Sequence, residues 1–443
     1  MLMQQSWLSA SPHFIMSPAE KINPRPYLIL LFLSAALGLI CAVITFAFIK
    51  IVHIFSDVIW EQTAQAIGMS LPIFTIIVCT AGGLLVGVLV KLFGDHSGIF
   101  AELMAEFGHT GRFNYRSAPG IVLTAFVSLI SGGSLGPEAP MADACGGVGT
   151  WISDKLKMDE RSTRSLGFSG LSGMLGAFIT SPFGGALLAL ESSKTSVSHA
   201  WTLIPSLIAS AVATTVFALL AGSFFGHLYT FDGYTPRLVD LVLAVPLGLL
   251  GGLAGSVFIV SYKWLRKLMQ PMSRHVILRG LIGGLGLGII GALLPLTLFS
   301  GEEQTLTVIQ NAAAIGVGSL IMIAFLKLIV TSLLLATGWK GGYMFPTMFA
   351  GASLGMAAHL IFPDIPPAVA VAATMAGAMV ATMKAPIFTA MFVLILVQSE
   401  AAPVIAIAVI MGLLASARLS MMPKPQAAIE SAPAAQKQAL QQS

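Results

Sequence analysis

Runs of about twenty mostly apolar residues recur along nearly the whole chain, and that is the length a helix needs to cross the hydrocarbon core of a bilayer. In lipid every backbone N–H and C=O must find a partner within the protein, so such runs have helix as their open choice. The composition agrees. Of 443 residues, 56% are hydrophobic and only 9% charged, with a mean hydropathy of +0.88, against roughly 25% charged in an average soluble domain. The chain reads as an all-α polytopic membrane protein, multi-pass in the cell's inner or plasma membrane. Its net charge of +4 is small and scattered, which gives no footprint for nucleic acid. Cys41, Cys79 and Cys145 lie in apolar segments without metal-like or disulfide-like spacing. They read as buried packing, and no metal or cofactor is expected.

Residues 1–26 read as a polar tail whose Lys21 and Arg25 favour a cytoplasmic N-terminus, with no cleavable signal pattern. A first membrane repeat is expected over 27–222, with apolar segments near 27–52, 71–92, 117–132, 137–153, 165–191 and 201–222. A linker over 223–236 holds Asp232 and no Lys or Arg, which places it outside. The second repeat, 237–420, has segments near 238–262, 280–299, 317–337, 343–362, 367–398 and 402–419. The basic stretches Lys155 to Arg164 and Lys263 to Arg279 read as cytoplasmic. The Pro/Ala/Gln-rich tail, 421–443, reads as disordered.

Within this apolar background stands Gly132-Gly133-Ser134-Leu135-Gly136-Pro137-Glu138-Ala139-Pro140. Glycines allow close backbone approach, and proline suits a first helical turn. The amides around Ser134 to Gly136 would point at whatever precedes that helix, and a helix N-terminus attracts an anion. Non-helical backbone at membrane depth is tolerated only where it is buried or lines a cavity. Gly341-Gly342-Tyr343-Met344-Phe345-Pro346 repeats the Gly-Gly-x-x-x-Pro spacing about two hundred residues later. A second pair, Gly173 to Pro182 and Gly377 to Pro386, follows in the same order. Two ordered echoes in a hydrophobic chain point to an internal repeat, with an intramembrane anion site between interrupted helices.

These residues resemble the CLC family of chloride channels and proton-coupled chloride antiporters over almost the entire chain. Ser97-Gly98-Ile99 resembles the family's Gly-Ser-Gly-Ile-Pro-Glu element, with Phe100 and Ala101 in place of its Pro-Glu. Gly133 to Pro137 resembles its Gly-Lys/Arg-Glu-Gly-Pro element, and Gly342 to Pro346 its Gly-x-Phe-x-Pro element. Lys384-Ala385-Pro386 stands where the family has Arg or Lys before Ala-Pro. The resemblance implies a CLC-type inverted-topology repeat with broken and re-entrant helices, and a homodimer with one anion pathway per subunit. It implies anion binding by the Ser97 hydroxyl, by the backbone of Ser134, Leu135 and Gly136, and by the amides of Tyr343 and Met344. Hydroxyl and amide donors can replace an anion's hydration without a full charge that would hold it too tightly. Chloride is the expected anion.

The departures from the family pattern bear on mechanism. Its gating glutamate falls at Leu135, and the antiporters' inner proton glutamate falls ten residues after Pro182, at Ser192, beside Glu191. Its late anion-binding tyrosine has no counterpart after Ala401. A pathway without those proton carriers is expected to conduct passively, as a channel. Three acids remain gate or proton candidates: Glu138, Asp143 and Glu191. Glu138, one helical turn past Leu135, is either a favourable first-turn carboxylate or a displaced gate that competes with the anion. If it or Asp143 carries protons, the alternative is a proton-coupled antiporter. Asp143 lies about 140° around the helix from Glu138, so the two are not expected to share one site. Lys327 reads as a structural charge satisfied by carbonyls. A different class, a rhomboid-like intramembrane serine protease, would use Gly170-Leu171-Ser172-Gly173 with His359 as base. Small residues at that spacing more often serve close helix packing, so the chain is read as no enzyme.

Overall fold

The computed structural model describes residues 24–96, 98–192, 199–221, 228–231, 233–397 and 399–421. Ser97, most of both tails, residue 222, and residues 223–227 and 232 of the expected linker lie outside the described residues. The described elements are helical, apart from one isolated bridge between Gly136 and Gly342. Seven helices among the described residues are long and apolar enough to cross a membrane.

In the first half α1 (Pro24–Asp57) runs on through a π-helical turn into α2 (Ala64–Ile67), followed by α3 (Leu71–Phe93), α4 (Phe100–Thr110) and α5 (Ala118–Ile130). Then come α6 (Glu138–Lys155), α7 (Glu160–Ile179), α8 (Pro182–Ser192) and α9 (His199–Ala221). The second half holds α10 (Leu238–Met269), α11 (Val276–Leu293), α12 (Glu302–Ile315), α13 (Val317–Ala336) and α14 (Met344–Ile361). It ends with α15 (Pro367–Met383), α16 (Pro386–Leu396) and α17 (Ala402–Ala415).

The halves repeat each other in packing. Helix α1 lies against α7 and α9, as α10 lies against α15 and α17. Across the halves α3 packs along α11, where a Cβ added to Gly83 would strike the Gly280 carbonyl; only glycine lets the two backbones come that close. The segments expected as single stretches over 165–191 and 367–398 are each broken in two. Both breaks have one cause. Thr180 and Lys384 adopt left-handed conformations (φ 53° and 56°) that end α7 and α15, and Pro182 and Pro386 then start α8 and α16.

One element escaped the reading from sequence. Helix α12 carries Glu302, Glu303, Gln304, Gln310 and Asn311, too polar for a span, and Asn311 departs from helical geometry. It packs on α14 and α13, and its start meets the linker, where the buried Tyr229 donates from its hydroxyl to the Glu302 carbonyl at 3.0 Å. The three cysteines are buried and free, as the apolar spacing implies.

Candidate functional site

The two Gly-Gly motifs meet in space. Gly136 N–H donates to the Gly342 carbonyl at 2.9 Å, and Gly342 N–H returns a bond to the Gly136 carbonyl at 2.6 Å. This pair brings together the starts of α6 and α14, so two helix N-termini converge on one buried point. Their unpaired amides and dipoles make that point electropositive without a full charge.

The group found there is Glu138. Its carboxylate is fully buried, and its Oε1 accepts the Met344 N–H at 2.8 Å, across 206 residues of sequence. Its own backbone N–H also faces the carboxylate. A Cβ on Gly136 would overlap Oε2, and a Cβ on Gly342 would overlap Oε1, so both glycines are needed to seat this side chain. Oε2 has no hydrogen-bond partner among the described residues. A carboxylate held by a helix-start amide is chemically the stand-in for a small bound anion.

Not every amide expected at the site is free. Leu135 N–H is engaged by the Gly133 carbonyl at 2.8 Å and Gly136 N–H by Gly342. These two corrections share a cause: the Gly-rich turn must close on itself and on its partner to satisfy buried backbone. Leu135 is completely buried. The Ser134 hydroxyl bonds the Thr331 hydroxyl at 2.9 Å, and Thr331 also donates to the Ser134 carbonyl, tying the turn to α13. Tyr343 and Met344 are buried at the start of α14, with the Tyr343 ring 5.3 Å from Phe258. Ser97 lies outside the described residues.

The other candidates are elsewhere. Asp143 faces a separate small cavity of about 60 Å³ with His96, Glu106, Arg112 and Asn114, apart from Glu138 as the helix phase requires. Both oxygens of Glu191 are engaged at the start of α16, accepting Ile387 N–H at 2.6 Å and Phe388 N–H at 2.7 Å. Glu191 thereby ties α8 to the start of α16, where the helix offers it two unpaired donors. Lys327 is fully buried and donates to the carbonyls of Thr297, Leu298 and Phe299 at 3.1, 2.8 and 2.7 Å, as expected of a structural charge. The protease arrangement is not formed: Ser172 donates to the Gly185 carbonyl, and the His359 ring bonds the Ile365 carbonyl at 2.7 Å.

Two cavities lie toward opposite ends of α3. One, about 270 Å³, includes Trp60, which touches Phe74 near the start of α3, and reaches Gly133, Leu135 and Pro137. Its wall carries Asp57, Glu61, Glu302 and Glu303. The other, about 640 Å³, begins at Asp95 just past α3 and carries Lys263, Arg266, Lys267, Arg279 and Lys340. Helix α3 is about 34 Å long at 1.5 Å per residue. The acidic mouth therefore ends beside Glu138, and the basic mouth ends at Trp339 and Lys340, just before the second Gly-Gly turn. At the basic mouth Asp95 pairs with Arg279 and, at 3.2 Å, with Lys340, whose amino group also donates to the His96 carbonyl. None of Asp95, Arg279, Lys340 or Glu302 was singled out from sequence. Lys340 directly precedes the second Gly-Gly motif and offered a usable signal; Glu302 offered none.

Comparisons with known proteins converge with this geometry. The profile of the family described as "Voltage gated chloride channel" matches residues 82–417. The chain is 26% identical over 363 residues to the "Putative ion-transport protein YfeO" of Salmonella typhimurium and of Salmonella enteritidis, covering 80% of this chain and 87% of those proteins. In fold it is similar to "a slow cyanobacterial Cl-/H+ antiporter", with a TM-score of 0.77 and 21% identity over 90% of this chain and 95% of that one. It is also similar to "a CLC-type fluoride/proton antiporter", with a TM-score of 0.76 and 19% identity over 91% and 99%.

Proposed function

The chain belongs to the voltage-gated chloride channel (CLC) family, a family of anion-transporting multi-pass membrane proteins, and from that premise we propose that it exchanges a small monovalent anion, chloride first, for protons through Glu138. The observation that carries this reading is the Glu138 carboxylate on the Met344 amide, between the two paired Gly-Gly turns. The channel expectation rested on finding leucine at position 135 and serine at 192. An ionisable group is nevertheless seated at the meeting of the two helix starts, reached from α6 three residues later. The solved structures similar to this chain are described as proton-coupled antiporters, which favours the same side.

Ionised Glu138 holds the Met344 N–H and excludes the anion. Protonation neutralises the carboxyl, removes the charge assistance from that hydrogen bond, and lets an anion take the amide. Return of the carboxylate expels the anion, so carboxylate and anion occupy the Met344 amide in alternation. On the basic side the phenol of Tyr343 lies within electrostatic reach of Glu138, Tyr262 and Glu102, which supports a proton route without an acid at position 192. Lys340 and Arg279 would draw anions into the basic mouth, which the positive-inside pattern puts in the cytoplasm. The working unit we propose is a homodimer with one such pathway per subunit.

The test is flux of both ions from purified protein in liposomes under a chloride gradient. Protons should move uphill, driven by chloride, and Glu138→Gln should abolish that movement while anion flux continues. Chloride efflux from wild-type protein with no accompanying proton movement would establish passive conduction and refute exchange.

A further inference from the structure

We propose that Glu302 is the acid that hands protons between Glu138 and the water of the acidic mouth, with Lys327 as its fixed counter-charge. The proposal rests on the exchange reading above and assigns it a second proton-bearing residue.

Glu302 opens α12 on the wall of the 270 Å³ cavity, which ends at Leu135 and Pro137, next to Glu138. Its Oε1 is buried without a hydrogen-bond partner among the described residues, as is Oε2 of Glu138, and the two carboxyls lie within electrostatic reach of each other. Two buried carboxyl oxygens, each without another partner and within electrostatic reach of each other, leave a proton free to pass between them. In a fully hydrogen-bonded wall each would already be committed to another donor.

The charges around Glu302 favour one proton on the pair. Lys327 reaches it from α13, anchored on the carbonyls just before it, and also lies 4.9 Å from the Phe349 ring centroid. Glu138 reaches it from α6, Glu303 from its own helix, and Ser300 hydrogen-bonds its side chain. His53 and Asp57 of α1, and Glu61 of the π-helical turn after it, line the cavity. Two carboxylates against one ammonium would leave a net negative charge in a water-poor region; one proton held by the pair makes the cluster neutral. Tyr229, donating to the Glu302 backbone carbonyl, fixes the start of the helix so that the side chain stays at the wall.

The transfer is balanced. An O–H bond breaks on Glu302 and forms on Glu138, leaving Glu302 as a carboxylate beside Lys327⁺. Neutral Glu138 then yields the Met344 amide to an anion, and a proton from the bulk solution, carried in by the cavity water as hydronium, restores the O–H bond on Glu302. No oxidant, reductant or further reactant enters.

The experiment is paired chloride and proton flux in liposomes for wild type, Glu302→Gln, Glu302→Asp and the double variant Glu302→Gln/Lys327→Met. Glu302→Gln should slow proton flux by roughly tenfold or more, with a smaller loss of anion flux and an altered dependence on pH at the acidic-mouth side only. Glu302→Asp should recover part of the proton flux, which a purely packing role would not do. The double variant keeps the region neutral if the single one leaves Lys327 too poorly matched to fold, and it should lose proton flux likewise. Proton flux and pH profile indistinguishable from wild type in Glu302→Gln, or in the double variant, overturns the assignment while leaving exchange through Glu138 intact. Wild-type protein that moves chloride without protons overturns both.

Discussion

If the Glu138 carboxylate and the transported anion compete for the Met344 amide, removing the carboxylate must tighten anion binding. In Glu138→Ala the helix-start amide that Oε1 occupies at 2.8 Å is released, and no side chain replaces the carboxylate between Gly136 and Gly342. A hydrogen bond to a charged group contributes about 1.5–3 kcal/mol net. The fully buried carboxylate regains hydration when displaced, which pulls the figure to the lower end. At 1.4 kcal/mol per decade, the apparent chloride affinity should rise about tenfold. The sign of the pH effect follows from the same competition. An anion must compete with the ionised carboxylate for the amide but not with the protonated carboxyl, so chloride binding to wild type takes up a proton and strengthens as pH falls. In Glu138→Ala that pH dependence disappears. Isothermal titration of detergent-solubilised protein with chloride, at two pH values, reads both quantities. Affinity unchanged or weakened in the alanine variant, or a pH dependence that survives it, would refute the competition.

Lys327→Met removes the cation within electrostatic reach of Glu302 and leaves three carbonyls without their donor, so the midpoint of thermal unfolding should drop, with a loss of about 1–3 kcal/mol or more of stability. Glu191→Ala uncaps α16 and should cost about 1–2 kcal/mol, while anion flux per folded protein stays close to wild type; a selective loss of proton flux would contradict its role as a clamp. At the basic mouth, burial alone would raise the Asp95 carboxyl, but Lys340 and Arg279 beside it hold it below the usual carboxylate range. Its stabilisation is therefore present above the unfolded value of about 3.9 and lost as pH falls through the lowered folded value. Unfolding scans at descending pH should show this acid loss in wild type and not in Asp95→Asn, which is also less stable near neutrality because Lys340 and Arg279 lose their partner.

Much of the architecture is a local property of the sequence. Apolar runs set the spans because backbone in lipid must be helical, and Gly and Pro mark the interruptions because only certain residues enter left-handed turns or open a helix. Hence the two Gly-Gly turns and the repeated Gly-to-Pro spacings ending at Pro182 and Pro386 were readable from the sequence and pointed to two related halves, whereas the breaks at Thr180 and Lys384, inside segments expected as single stretches, were decided by the backbone. Helix α12 was not readable, because its polar residues are accommodated by packing on α13 and α14 at the acidic mouth and carry no span pattern. Which groups share a site was likewise a tertiary matter. Glu138 meets Met344, Lys327 stands beside Glu302, and Asp95 joins Arg279 and Lys340 across separations that no local pattern encodes. The sequence alone determined that helix starts would be available at membrane depth. Only folding decided which amides stayed free: the turn claims the Leu135, Gly136 and Gly342 N–H groups, and the carboxylate takes the one at Met344.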